Sequence, residues 1–201
     1  MAYALVVASG MFSGKTEFAL AKLGSASHAG KNILVVKSKT DNRKIRDVFA
    51  LIKEHKDLAK YKKLHTGVVS SVKELKALVR QHNPDILLID EAQFLKGRGY
   101  VRYFRQLMEI NKANNFMLMI VGLDMDAWGR PFGLMPFFMA LADDVDKLKT
   151  AFCAICRDDK YRAVMTQKIT GSTEQIEVGD KPYQPVCRRC HTMPPNEPTP
   201  E

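Results

Sequence analysis

Lys15 and Thr16 end a run rich in small residues, Ser9-Gly10-Met11-Phe12-Ser13-Gly14-Lys15-Thr16, that follows directly on the apolar stretch Tyr3 to Ala8. A turn of that composition lets successive backbone N–H groups point inward at a polyphosphate. Lys15 adds a point charge, and Thr16 a hydroxyl for Mg²⁺. The usual pattern has glycine five residues before Gly14; here Ser9 stands there, with Gly10 one step later. Farther along, Asp90-Glu91 ends a second apolar run, Ile86 to Ile89. A carboxylate at a strand end can hold Mg²⁺ beside a phosphate loop, and the next acid is placed to accept a proton from whatever attacks the γ-phosphate. Alone, Gly-Lys-Thr is common by chance and an acid pair in a turn is usually solvated. The strand before, the helix after and the order of the two motifs turn both toward nucleotide chemistry.

Cys153-x-x-Cys156 and Cys187-x-x-Cys190 are the chain's four cysteines, with 30 residues between the pairs. Four thiolates in two knuckles fill a tetrahedral Zn²⁺ and leave no open position, so the site is structural. Disulfides suit a cytosolic chain poorly. Cys187-Arg188-Arg189-Cys190-His191 also fits covalent haem attachment, a reading that ignores the first pair. His191 could replace a cysteine as ligand but is expected to be exposed beside Cys190. Zinc binding by small ribbons is worth on the order of 10 kcal/mol, so the metal is expected to decide whether residues 151–191 fold.

The elements that must position these residues alternate. Strands are expected at Tyr3 to Ala8, Ile33 to Val36, Lys63 to Val69, Asp85 to Asp90 and Phe116 to Val121. Helices fall at Glu17 to Leu23, Ile45 to Lys56, Val72 to Arg80 and Tyr100 to Asn114. Ser71 with Glu74 forms a capping box. Strands apolar on both faces that alternate with helices imply an α/β fold with a mostly parallel sheet covered on both sides. Right-handed crossovers then gather the loops at Ser9, Lys37, Glu91 and Gly122 at one sheet edge. Residues 1–150 are expected to form this domain and 151–192 a small ribbon, with strands at Tyr161 to Ile169 and Gln175 to Val178. The proline-rich tail 193–201 is expected to be disordered.

The 201 residues, 46% hydrophobic, are enough for one core and an appendage. No run reaches membrane-spanning length, and the N-terminus lacks the features of a signal peptide, so a cytoplasmic location is expected. Net charge is +9, much of it between Lys37 and Lys63. With little aromatic interleaving beyond Tyr61, that stretch reads as solvated helix faces and phosphate contacts, and nucleic acid is not the expected partner. Asp90-Glu91-Ala92-Gln93 also reads like the DEAx element of RNA helicases, which need a second ATPase domain or an arginine from a partner. A nucleic-acid-dependent ATPase with a zinc ribbon is therefore the alternative, and a non-catalytic nucleotide-binding regulator a third reading, disfavoured by an intact Glu91.

Met11 to Thr16, Asp41-x-Arg43, Asp90-Glu91-Ala92-Gln93-Phe94, Gly122-Leu123-Asp124 with Arg130-Pro131-Phe132, the four cysteines and Tyr183 resemble, in this order, the zinc-containing cytosolic type of thymidine kinase. The resemblance covers the chain to about His191. It implies ATP-dependent phosphorylation of the 5′-hydroxyl of thymidine or deoxyuridine. Lys15 and the loop amides from Ser9 onward would hold the donor phosphates, with Thr16 and Asp90 around Mg²⁺ and Gln93 nearby. Glu91 would be the base and Arg43 the cation at the transferred phosphoryl. A lasso between the cysteine pairs would close over the nucleoside. Met11, Phe94, Leu123, Trp128 and Phe132 would surround the base, with Thr166, Ile176 and Val178 from the lasso and Tyr183 on the sugar. A homotetramer inhibited by thymidine triphosphate is the family expectation. Three positions depart from the pattern: Ser9-Gly10 replaces Gly-Pro, Ala127 beside Trp128 replaces Phe, and Lys168 replaces Arg.

Overall fold

In the computed structural model, residues 1–40, 47–170 and 182–194 are described. Six parallel strands form one sheet in the order β3-β2-β4-β5-β1-β6. They are β1 (Tyr3–Ala8), β2 (Ile33–Ser38), β3 (Leu64–Val69), β4 (Ile86–Asp90), β5 (Met117–Gly122) and β6 (Asp144–Lys147). Five helices connect them: α1 (Lys15–His28), α2 (Val48–Glu54), α3 (Val72–His82), α4 (Gly99–Ile110) and α5 (Met135–Leu141). No described helix is long and apolar enough to cross a membrane.

The sheet is buried on both faces because its strands send alternate side chains into two separate layers. Ala4, Val6, Leu34, Val36, Leu87 and Ile89 join the layer that includes Leu75, Phe104 and Phe138 of α3, α4 and α5. Leu5, Val7, Ile33, Val35, Ile86 and Leu88 face Ala19, Leu20, Leu23, Val48 and Ile52 of α1 and α2. Burying a side chain of this size stabilises by about 1.5–3 kcal/mol. The two layers therefore fix the register of every central strand.

The expected alternation is present, with α1 and α3 longer than anticipated and α2 shorter. The Ser71 cap forms as read, its hydroxyl accepting from the Glu74 amide at 3.3 Å. Two elements of the sheet domain were not expected, nor was the ribbon strand Tyr183–Val186. β6 is the edge strand Asp-Val-Asp-Lys, too charged to show an apolar run, and α5 is a short helix with proline in its first turn.

After β6 the chain forms a small two-stranded antiparallel sheet of β7 (Met165–Lys168) and β8 (Tyr183–Val186). β7 occupies the end of the anticipated strand Tyr161 to Ile169. β8 carries a proline, which an edge strand tolerates. Cys153, Met165, Val186 and Cys187 form its own small core. Gln175 to Val178 and the tail from 195 onward lie outside the described residues.

Candidate active site

Because β2, β4, β5 and β1 are neighbours and parallel, their C-terminal ends share one edge, with Lys37 opposite Asp90 and Ala8 opposite Gly122. The phosphate loop leaves β1 there. Gly14 adopts φ 72° at the entry to α1, a left-handed conformation that glycine takes without steric cost. Inside the loop the Lys15 Nζ donates to the Gly10 carbonyl at 2.7 Å and to the Ser13 hydroxyl at 3.3 Å, and Ser13 donates to the same carbonyl at 2.9 Å. The two departures at the loop's start have local reasons. Ser9 donates to the Leu148 carbonyl at 2.6 Å, a tie to the chain leaving β6. Gly10 lies against the ribbon: a Cβ there would meet Thr166 Oγ1 at 3.3 Å and Met165 backbone at 3.4 Å.

The acid pair ends β4 beside this loop. Thr16 Oγ1 lies 3.5 Å from Asp90 Oδ1, and Asp90 is buried. These two oxygens fit a Mg²⁺ ligated directly or through water, since that ion takes oxygen donors and keeps several waters. Glu91 is the turning residue, with φ 51° and ψ 45°. Gln93 then holds it: its side-chain amide donates to Glu91 Oε2, while its Oε1 accepts the Leu123 backbone N–H at 3.0 Å. Gln93, expected near the ATP and Mg²⁺ ligands, is thus engaged with the acid and the loop after β5. Sequence spacing could not show the second contact, because Leu123 lies 30 residues away in the loop after β5.

The residues expected at the base and sugar form several pairwise contacts. Phe94 and Phe132 meet edge to face at 5.9 Å between centroids. Leu123 is tied to Gln93, and Met11 donates its backbone N–H to Thr166 Oγ1 at 2.9 Å. Tyr183 sits on β8 opposite Lys168. Beside Phe94 opens a cleft of about 240 Å³ bordered by Ser38, Thr40, Ser70 and the cations Lys39 and Lys96. Trp128, expected beside the base, is buried in the loop after β5. It is 3% exposed, with the Arg130 and Lys168 cations 5.5 and 5.9 Å from its ring centroid. As seated, its ring packs the loop. Arg43, Ile176 and Val178 lie outside the described residues.

The four cysteine sulfurs all lie within 4.8 Å of one another, with Cys156 and Cys187 at 3.9 Å. Tetrahedral zinc with Zn–S bonds near 2.3 Å requires sulfurs about 3.8 Å apart, so the donor set fits. Burial alone would push the Cys153 thiol up. Backbone hydrogen bonds from Cys187, Cys156 and Ile155 outweigh it and bring its pKa down to about 6. Burial and the neighbouring thiols push Cys190 up to about 12, and Cys156 is raised as well, so a metal entering the cluster would displace protons. His191 is not part of the cluster. Its Nε2 lies 2.8 Å from the Ala127 carbonyl.

The sequence is similar to known proteins over nearly its whole length. Residues 2–191 match the family model described as thymidine kinase. A thymidine kinase of Mycoplasma mobile is 34% identical over 189 residues, covering 92% of this chain and 85% of that protein. One from Bacteroides thetaiotaomicron is 32% identical over 187 residues, with the same coverage of 92% and 85%. With likeness of that extent running through both the phosphate-loop sheet and the cysteine ribbon, the chain belongs to the thymidine kinase family.

Proposed function

We propose that the chain transfers the γ-phosphoryl group of ATP to the 5′-hydroxyl of thymidine or deoxyuridine, with Glu91 as general base. The 5′-oxygen–phosphorus bond forms as the bond to the β-phosphate bridging oxygen breaks; Glu91 takes the hydroxyl proton and ADP leaves. The observation that carries this reading is the Gln93 amide on Glu91, which holds a carboxylate one residue beyond Asp90 and beside the phosphate loop. An ATP-binding switch would not require that brace.

Lys15 and the loop amides of residues 9–16 meet the donor phosphates. Thr16 and Asp90 would hold Mg²⁺, which when bound offsets phosphate charge. The family resemblance gives Arg43 the role of the cation at the transferred phosphoryl. Catalysis of this kind is mostly positioning and electrostatic stabilisation. Met11, Phe94, Leu123, Trp128, Phe132 and Thr166 are assigned to the base, Ile176 and Val178 join them by the family resemblance, and Tyr183 is assigned to the sugar. Zinc in the four cysteines is structural. Residues 1–150 act as the catalytic unit and 151–192 as the ribbon, whose separate core supports that division. The enzyme works in the cytoplasm as a homo-oligomer, a tetramer by family expectation. The nucleic-acid-dependent ATPase is not favoured by the family match.

Incubation with Mg-ATP and a panel of nucleosides, with RNA and DNA in parallel, tests this. Thymidine or deoxyuridine monophosphate should accumulate. ATP hydrolysis stimulated by nucleic acid without nucleotide product would reject it.

A further inference from the structure

The loop between β5 and α5 is tied together by its own hydrogen bonds. Asp126, buried at its centre, accepts from the Trp128 N–H at 3.0 Å and the Arg130 N–H at 3.0 Å. It also takes the Arg130 guanidinium through Nε at 3.0 Å and Nη2 at 2.9 Å. The two arms are joined where Phe132 N donates to the Asp124 carbonyl at 3.1 Å and Asp126 N to the Arg130 carbonyl at 2.9 Å. Leu123 and Phe132, proposed base contacts, sit at the two ends of this piece. Whatever fixes the loop therefore fixes them.

Among the described residues the ribbon packs its small core against Met125 of the loop and touches it at three further places. Met165 Cε lies 3.0 Å from where a Cβ on Gly129 would stand. Lys168 faces the Trp128 ring. The third is His191, whose Nε2 meets the Ala127 carbonyl at 2.8 Å. A carbonyl only accepts, so Nε2 carries the proton in this bond. His191 is itself fixed by the second cysteine knuckle, its backbone N–H donating to Cys187 at 3.0 Å. The contact thus runs from the cysteine cluster to the loop in one step.

We propose that His191 is a positioning residue for the nucleoside: it latches the loop after β5 to the cysteine ribbon and so sets the base side of the site. This rests on the proposed kinase reading, and it separates His191 from zinc ligation. The Lys15 end of the phosphate loop does not depend on the latch, so the effect falls on the nucleoside and not on ATP.

The full-length protein and its His191→Ala and His191→Gln variants are compared for zinc content, for binding of thymidine and of a non-hydrolysable ATP analogue by calorimetry, and for steady-state phosphorylation. His191→Ala keeps one zinc per chain and binds the ATP analogue within twofold of wild type. Its thymidine Kd and KM rise about fivefold or more, as expected for losing one hydrogen bond, with kcat changed less. His191→Gln, whose amide reaches close to the Nε2 position, recovers most of the loss. If His191→Ala is insoluble, His191→Asn, whose amide falls short of the carbonyl, takes its place in the same comparison. Unchanged thymidine affinity, equal loss for both ligands, or loss of zinc would overturn the latch while wild-type activity leaves the kinase reading intact. A wild-type protein that neither binds nor phosphorylates any nucleoside would overturn both.

Discussion

Glu91 occupies a left-handed backbone conformation that costs a non-glycine residue about 1 kcal/mol or more. Strain of that kind persists where neighbours over-determine it, and Gln93 with the Leu123 amide does so here. Gly133 enforces the arrangement from the other side: a Cβ there would come within 2.2 Å of the Gln93 carbonyl oxygen, and its φ is 54°. Gln93→Leu is expected to lower kcat at least tenfold while thymidine KM changes less than threefold, because it frees the base without emptying the pocket. Steady-state kinetics on the variant would check this, and an unchanged kcat would remove Gln93 from the reaction. Gly133→Ala should lower stability by about 1 kcal/mol or more, read by urea unfolding, and reduce kcat with it. At this scale the reactive groups themselves were legible, because Lys15, Thr16, Asp90 and Glu91 are chemically distinctive at fixed positions along the chain. Their supports were not. The partners of Gln93, Ser9 and His191 come from remote segments, and a hydrogen bond across the fold leaves no local pattern in a single sequence.

β2 and α2 show how an element can be pinned by one pair. Lys37 is buried at the end of β2, and its Nζ lies 2.6 Å from Asp47, the residue that caps α2 by accepting from the Ala50 N–H at 2.8 Å. Burial pushes the Asp47 carboxyl up, but the Lys37 hydrogen bond and the α2 amides outweigh it, and its pKa is net lowered from 3.8. A carboxyl depressed in the folded state contributes stability above its unfolded pKa and loses it as pH falls through the folded value. Asp47→Asn, which keeps a cap, should therefore cost about 2–3 kcal/mol at neutral pH. That deficit should narrow as pH drops below about 4, where the wild-type carboxyl also protonates. Denaturant unfolding at a series of pH values measures it; a deficit that stays constant through that range would show that charge is not the cause. The central strands β1, β2, β4 and β5 could be anticipated because each is apolar on both faces. β6 escaped notice because it lies at the sheet edge, where charge is tolerated and even protective. α5 is too short, and too uniformly apolar, for its period to stand out.

Across the whole molecule, the sheet and the cysteine ribbon meet at the site. The ribbon reaches the phosphate loop through Thr166 and the loop after β5 through His191. Zinc contributes on the order of 10 kcal/mol to folding a small ribbon. Removing it with a chelator, or replacing Cys153 with Ser, is expected to abolish thymidine binding. Most far-UV circular dichroism should survive, because both large apolar layers belong to the parallel sheet. Full retention of thymidine binding without zinc would contradict the coupling. The cysteine spacing made the metal site readable from the sequence, yet it gave no sign of where the ribbon docks, which depends on packing between distant surfaces.

The decisive measurement is single-turnover phosphoryl transfer from Mg-ATP to saturating thymidine, comparing wild type with Glu91→Gln. Wild type should yield thymidine monophosphate and ADP in equal amounts. Glu91→Gln should bind both substrates with near-normal affinity and form product at least about 100-fold more slowly, the usual scale for losing a general base. An unimpaired rate in Glu91→Gln, or ADP released by wild type without any thymidine monophosphate, would contradict the assignment.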